Sequence, residues 1–154
     1  PVIGIAEASL YVANNLGAKF GVVTTLLRSH HMVESTVAKV GLAGHCAAVI
    51  CTDLPVKETE VNRAATFEAL KNGSQQAIAA GAEVIVLACA GMSGLDTALE
   101  ECLGLPVIDS VAAAVAWAEA LVSLGKKTSK TLTYRPPEVK PIKGYPAHMQ
   151  STIK

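Results

Sequence analysis

The feature that most constrains the fold is a short, wholly apolar segment in the second half of the chain. Residues 84–87 are four consecutive apolar residues, three of them β-branched. This pattern is typical of a central parallel strand that is covered on both faces, rather than of a half-exposed strand. The segment therefore predicts a sheet that lies between two layers of other structure.

Strand and helix patterns alternate along the rest of the chain. The predicted strands are residues 1–4, 19–25, 45–52, 84–87 and 106–109, and the predicted helices are residues 5–16, 27–40, 58–80, 94–102 and 110–124. This alternation predicts an α/β fold, with three αβα layers around a mostly parallel sheet. In the last helix, we expect the core-facing residues to be Val111, Val115, Ala118 and Val122.

Cys89 stands at the carboxyl end of the predicted central strand and is followed by small residues and a predicted helix start. In open α/β sheets, the crevice beyond the strand ends holds ligands. Unpaired N–H groups at a helix N-terminus also favour a thiolate. A reactive role is therefore one interpretation of Cys89, and a buried thiol that only fills space is the other.

Polar residues lie at two further places where a cleft is expected. Thr24 and Thr25 end the predicted strand 19–25, where their hydroxyls could hold a substrate oxygen or cap the next helix. Glu7 falls in the first turn of predicted helix 5–16. There its carboxylate either lines the cleft or simply complements the helix dipole.

The sequence gives no indication of a metal or nucleotide site. Cys46 and Cys51 are five residues apart in one predicted strand, so their side chains point to opposite faces and cannot form a chelate. The glycines form neither a phosphate-cradling loop nor a dinucleotide fingerprint. We therefore expect no metal and no nucleotide.

Charge and composition limit the partners. The 13 basic and 13 acidic residues balance and form no basic block, so we expect neither nucleic acid nor a membrane surface as a partner. No apolar run reaches the roughly 18 residues of a spanning helix. A small neutral or weakly acidic ligand is expected instead. Four irregularly spaced cysteines indicate reduced thiols and a cytoplasmic location.

A resemblance to a known family rests on five segments: residues 88–92 (ACAGM), 1–8 (PVIGIAEA), 20–25 (FGVVTT), 106–110 (PVIDS) and 124–130 (LGKKTSK). Together they resemble the aspartate/glutamate/hydantoin racemase superfamily, and most closely its hydantoin and allantoin racemase branch. The resemblance implies a cofactor-independent racemase of 5-substituted hydantoins or allantoin, with Cys89 transferring a proton at one face of the substrate. It also implies a set of substrate-binding positions: Thr24, Thr25, Ala90, Gly91, Met92 and Glu7.

The resemblance also implies a division into domains. Residues 16–105 would form one complete α/β domain that carries Cys89, whereas residues 1–15 and 106–125 would belong to a pseudo-symmetric partner domain. Residues 126–154 contain four of the seven prolines and are predicted to form a C-terminal arm. Tyr134 and Tyr145 of this arm would pack on a neighbouring subunit, so a homo-oligomer is expected.

One departure from the family pattern concerns a second cysteine. Such racemases resemble one another in having two cysteines that face each other across the substrate, and the first lies upstream of the segment that resembles residues 1–8. The sequence begins with Pro1 and has no such upstream part, so we expect an N-terminally incomplete chain. Two alternatives therefore remain: a decarboxylase or isomerase that resembles arylmalonate decarboxylase in using a single cysteine, and a non-catalytic fragment.

Overall fold

The structure, a computed structural model, describes residues 1–138 together with residues 144, 146 and 148. Its regular elements in chain order are α1 (Ile5–Asn14), β1 (Phe20–Thr24), α2 (His30–Lys39), β2 (Cys46–Cys51), α3 (Val56–Val61), α4 (Arg63–Ala79), β3 (Val84–Leu87), α5 (Asp96–Leu103), β4 (Val107–Asp109) and α6 (Ser110–Ser123). Short 3-10 turns occur at Leu27–Ser29, Ala43–His45, Ala90–Met92 and Leu132–Tyr134.

The four strands of the described residues form one parallel sheet in the order β2-β1-β3-β4. The two central strands are β1 and β3, and every residue of both is buried. The register pairs Val23 with Leu87 and Leu87 with Asp109. The carboxyl ends of β1, β3 and β4 therefore lie side by side at one edge of the sheet, where α/β proteins bind their ligands.

Helices cover both faces of the sheet, which confirms the predicted α/β fold with three layers. On one face, Leu10 of α1 and Val37 of α2 pack against inward-facing residues of β1 and β3. On the other face, Leu70 of α4 and Leu99 of α5 pack against the alternate residues of the same strands. Two separate cores result because successive strand residues point to opposite faces.

Helix α6 packs against α1 through small side chains. Ala8 of α1 forms a cluster with Ala113 and Ala114 of α6, and the rings of Tyr11 and Trp117 stack with their centroids 5.6 Å apart.

No helix in the described part of the chain is long and apolar enough to cross a membrane.

Three predictions about single elements are wrong. Residues 1–4 form no strand, since none of the described strands pairs with them. The predicted helix 58–80 is two helices, α3 and α4. They are separated at Asn62, whose side chain caps α4 by accepting a hydrogen bond from the N–H of Ala65. In α6, Val115 and Val122 are 52% and 79% exposed, because the alanine face packs on α1 instead.

The sheet extends beyond the boundary expected at residue 105, because β4 pairs with β3. Outside the sheet, α1 and α6 pack on each other. The assignment of residues 1–15 and 106–125 to a second domain stays a prediction. In the predicted arm, Tyr134 is exposed, and Tyr145 lies outside the described residues.

Candidate active site

Cys89 is the first residue beyond the hydrogen-bonded part of the central strand. The N–H of Ala88 still donates to the carbonyl of Val23 at 2.9 Å, which extends the pairing of β1 and β3 by one residue. Cys89 follows in an extended conformation, and its side chain is half-buried. Cys89 therefore stands at the carboxyl end of a central strand, as the sequence predicted.

The residues after Cys89 form a 3-10 turn, which precedes the predicted helix. The turn spans Ala90–Met92, and the next α-helix, α5, begins only at Asp96. The N–H of Met92 donates to the carbonyl of Cys89 at 3.0 Å, and that of Ser93 to the carbonyl of Ala90 at 3.1 Å. The helix predicted at residues 94–102 is therefore observed as α5, and a short turn separates it from Cys89.

The three predicted binding positions in the turn, Ala90, Gly91 and Met92, differ in whether their N–H groups are already hydrogen-bonded. The N–H of Met92 is engaged within the turn, and its side chain is buried in the core. Within the described residues, the N–H groups of Ala90 and Gly91 have no hydrogen-bond acceptor. Of the three predicted positions, only Ala90 and Gly91 can therefore offer an N–H group to a substrate oxygen.

Thr24 and Thr25 end β1, directly beside β3. They are 3% and 5% exposed, and within the described residues neither hydroxyl has a hydrogen-bond partner. The next helical residues are capped by Leu26 and Ser29, without a side-chain hydrogen bond, so the alternative role as helix caps is not observed. Both hydroxyls are therefore free to accept or donate a hydrogen bond to a ligand.

Glu7 lies in the exposed first turn of α1. Two residues later, the hydroxyl of Ser9 lies 3.1 Å from that of Ser110. The Ser110 hydroxyl donates to the carbonyl of Leu87 at 2.5 Å. These bonds hold the start of α1 at the carboxyl end of β3, so Glu7 lies at the same end of the sheet as Cys89.

Asp109 is a buried carboxylate that the sequence analysis did not single out. Its Oδ2 accepts hydrogen bonds from Ser93 Oγ at 2.5 Å and from the N–H of Gly94 at 3.0 Å. Its Oδ1 caps α6 by accepting from the N–H groups of Val111 and Ala112 at 2.7 and 3.2 Å. Burial would raise the pKa of Asp109, but these hydrogen bonds outweigh it and hold that pKa below its usual value.

A second group of residues holds the turn from the opposite side. The guanidinium of Arg63 donates to the carbonyls of Gly91 and Ser93 at 3.5 and 3.1 Å. A Cβ built at Gly91 would collide with the hydroxyl of Thr59 in α3. Position 91 therefore requires glycine, because no other side chain fits under α3.

The remaining cysteines lie elsewhere and differ in their surroundings. Burial raises the pKa of Cys46, with a further contribution from the charge of Glu34. Burial also raises the pKa of Cys51, and the nearby charge of Asp53 raises it further. Cys102 is exposed on α5. Within the described residues, no three His, Cys, Asp or Glu side chains are placed to hold a metal ion.

This geometry defines an α/β fold in which a thiol, two hydroxyls and two N–H groups without an acceptor among the described residues follow the carboxyl ends of two central parallel strands. Residues 1–118 match the family model described as Asp/Glu/Hydantoin racemase. The chain belongs to this family, as its sequence motifs indicated.

Among curated proteins, the chain is 44% identical to a hydantoin racemase from Pseudomonas sp. (strain NS671) over 141 residues, which are 91% of this chain and 57% of that protein. It is also 44% identical to a hydantoin racemase from Rhizobium meliloti over 146 residues, covering 94% of this chain and 61% of that protein. The chain thus spans about three fifths of the length of these relatives.

Two solved structures share the fold. The allantoin racemase from Pseudomonas fluorescens is 42% identical and superposes with a TM-score of 0.86 over 94% of this chain and 62% of its own. The allantoin racemase from Klebsiella pneumoniae is 39% identical, with a TM-score of 0.87 over 98% of this chain and 61% of its own.

Proposed function

We propose that the natural polypeptide carrying this chain is a cofactor-independent racemase of hydantoin-type substrates, either 5-substituted hydantoins or allantoin. Cys89 would exchange a proton with one face of the stereogenic carbon. The observation that carries this proposal is the position of Cys89 at the carboxyl end of β3, beside the end of β1 that carries Thr24 and Thr25 and before the Ala90 and Gly91 N–H groups, which have no acceptor among the described residues.

The chemistry of racemisation requires one group on each face of a weakly acidic carbon. In one direction, the Cys89 thiolate takes the proton and becomes a thiol, while the electron pair of the broken C–H bond moves onto the adjacent carbonyl as an enolate-like oxygen. A group on the opposite face then returns a proton to the carbon. In the other direction the two groups exchange roles.

The developing negative charge needs donors that are already in place. The N–H groups of Ala90 and Gly91 lie in a turn that hydrogen bonds fix on both sides. Such preorganised donors stabilise an oxyanion without reorganising during the reaction. The hydroxyls of Thr24 and Thr25 would hold a second substrate oxygen, and the Glu7 carboxylate would line the rim of the crevice.

The substrate class follows from the names of the relatives, which are hydantoin and allantoin racemases. Racemisation by two opposed proton carriers needs no cofactor, because the hydantoin carbonyl itself accepts the electron pair. We also propose a reducing, cytoplasmic location, because Cys46, Cys51, Cys89 and Cys102 are all free thiols.

We also propose that a second wall faces the crevice and that copies of this polypeptide associate with one another. The apolar side chains of Val115 and Val122 are exposed on α6, and an apolar helix face of this kind favours contact with another folded surface. Residues 1–15 and 106–125 would contribute to the partner domain, and the opposing proton carrier would lie there.

Circular dichroism of single enantiomers tests the proposal. With the natural polypeptide, the signal of a pure 5-substituted hydantoin or of allantoin should decay to zero. The Cys89→Ser variant should lose this decay by about a hundredfold or more. Cys102→Ser, which changes an exposed thiol in the same domain, should retain it. A Cys89→Ser protein that racemises at the wild-type rate would rule out the proposal.

A further inference from the structure

The carboxylate of Asp109 connects the turn after Cys89 to the first turn of α6. One oxygen binds Ser93 and Gly94, at the end of the turn that begins at Cys89. The other oxygen caps the first turn of α6. The side chain is 8% exposed, and all four bonds are charge-assisted, the stronger class of hydrogen bond in proteins.

The position of Ser93 determines the position of the residues beside the thiol. The N–H of Ser93 donates to the carbonyl of Ala90, and the N–H of Met92 donates to the carbonyl of Cys89. A displacement of Ser93 is therefore passed back along the turn to Ala90 and Cys89. The free N–H groups of Ala90 and Gly91 would move with it.

The opposite side of the turn is held less firmly. The guanidinium of Arg63 is exposed, and its bonds to the carbonyls of Gly91 and Ser93 are 3.5 and 3.1 Å long. An exposed side chain with bonds of this length fixes a loop less tightly than a buried carboxylate does. Of these two sets of hydrogen bonds, those of the carboxylate are therefore the stronger restraint on the turn.

We propose that Asp109 is a positioning residue that fixes the turn after Cys89 through Ser93 and Gly94, and thereby the thiol and the two free N–H groups. Its role in catalysis rests on the proposed function. Asp109 itself does not line the crevice with a free polar atom, since both of its oxygens are engaged. Its effect is therefore on geometry, and a small displacement of reacting groups slows a reaction strongly.

The variants Asp109→Asn and Ser93→Ala separate the two halves of the carboxylate. An Asn amide retains an oxygen that can cap α6, but its NH₂ cannot accept from the Gly94 N–H. Ser93→Ala removes only the bond to the hydroxyl. Ala116→Gly is the matched control, because Ala116 is exposed in α6, and the change weakens that helix without touching the turn.

Hydrogen exchange of the natural polypeptide gives the first readout, and it does not depend on activity. In Asp109→Asn, the amides of residues 92–95 should exchange about tenfold faster or more, while those of β3 remain protected. Ala116→Gly should accelerate exchange in α6 only. Equal exchange of residues 92–95 in wild type and Asp109→Asn would overturn the inference.

Kinetics give the second readout. In Asp109→Asn, kcat should fall by about ten- to a hundredfold with KM changed by less than about threefold, because reacting groups are displaced while binding groups remain. Ser93→Ala should cause a smaller loss, and adding it to Asp109→Asn should cost less than it does alone. A loss of kcat no larger than that of Ala116→Gly would also overturn the inference. If the wild type does not racemise at all, the proposed function fails, and the exchange experiment still decides the role of Asp109.

Discussion

Cys89 differs from the other three cysteines in its surroundings. Cys46 and Cys51 lie in the edge strand β2, where burial raises the pKa of both thiols. Cys102 is exposed but stands on a helix surface. Only Cys89 combines a strand end with neighbouring N–H groups that have no acceptor among the described residues. Such donors can hold the carbonyl oxygen of a reagent or substrate beside the thiol, which favours its reaction.

Alkylation therefore should be selective. With iodoacetamide at about pH 7, we expect Cys89 of the folded protein to react first, followed by Cys102 and then by Cys46 and Cys51. Mass spectrometry of the labelled peptides measures the order. Cys102 serves as the internal control for accessibility alone. If Cys102 reacts faster than Cys89, the environment of Cys89 does not activate it.

Asp109 makes the stability of the fold depend on pH in a defined direction. Because its pKa is lower in the folded chain, its ionised form stabilises the fold. This stabilisation is complete above the pKa of an unfolded aspartate, about 3.9, and is lost as the pH falls through the lower pKa of the folded state. Acid thus weakens the bonds that hold the turn after Cys89.

We expect Asp109→Asn to lower the free energy of unfolding in urea by about 1–3 kcal/mol at neutral pH. The difference from wild type should shrink on acidification below about pH 4. Glu119→Gln, which removes an exposed carboxylate from the same helix, should change little. A difference that stays constant between neutral and acid pH would show that the charge of Asp109 is not what stabilises the fold.

The sequence could place Cys89 and the two threonines, but not Asp109. The residue pair Asp109 and Ser110 precedes a predicted helix, and either residue is a good cap. The structure uses Asp109 as the cap, whereas the Ser110 hydroxyl binds the carbonyl of Leu87. The choice depends on the turn after Cys89, which lies 16 residues earlier in sequence and cannot be seen in a local pattern.

At the scale of elements, the contact between β1 and α4 is unusually close. A Cβ built at Gly21 would lie 2.5 Å from the Cβ of Ala77 and 3.1 Å from that of Ala82. Gly21 is buried in β1, so glycine here serves close packing rather than a turn. The short side chain of Ala77 allows the same approach from the helix side.

Gly21→Ala should therefore force β1 and α4 apart and lower the free energy of unfolding by about 1–3 kcal/mol. Gly44→Ala is the matched control, because a Cβ there meets nothing within 4 Å. Urea unfolding followed by circular dichroism measures both variants. A Gly21→Ala protein as stable as Gly44→Ala would mean that the two elements can separate without cost.

The accuracy of prediction differed between strands and helices for a physical reason. Apolar β-branched runs identified β1, β2, β3 and β4 within one or two residues, because a buried parallel strand leaves few alternatives. The orientation of α6 was wrong, since a helix that is apolar nearly all round has no periodic signal for its buried face. Packing on α1 selected the alanine face, which includes Ala113 and Ala114.

At the scale of the whole molecule, the proposed function makes this chain one wall of the substrate crevice. The carboxyl ends of β1 and β3 bring together Cys89, Thr24 and Thr25, and Asp109 at the end of β4 fixes the turn between them and α6. The chain spans about three fifths of its curated relatives. We propose that Cys89 carries protons at one face of the substrate carbon, while a group on the facing wall carries protons at the opposite face.

The most direct test follows deuterium rather than optical activity. Cys89→Ser in the natural polypeptide is mixed with each pure enantiomer in heavy water, and proton NMR monitors the stereogenic C–H. We expect net racemisation to collapse while exchange persists for one enantiomer only, because the opposing group can still remove its proton. Cys102→Ser should exchange both enantiomers as wild type does. Equal residual exchange of both enantiomers by Cys89→Ser would contradict the claim that Cys89 acts at a single face.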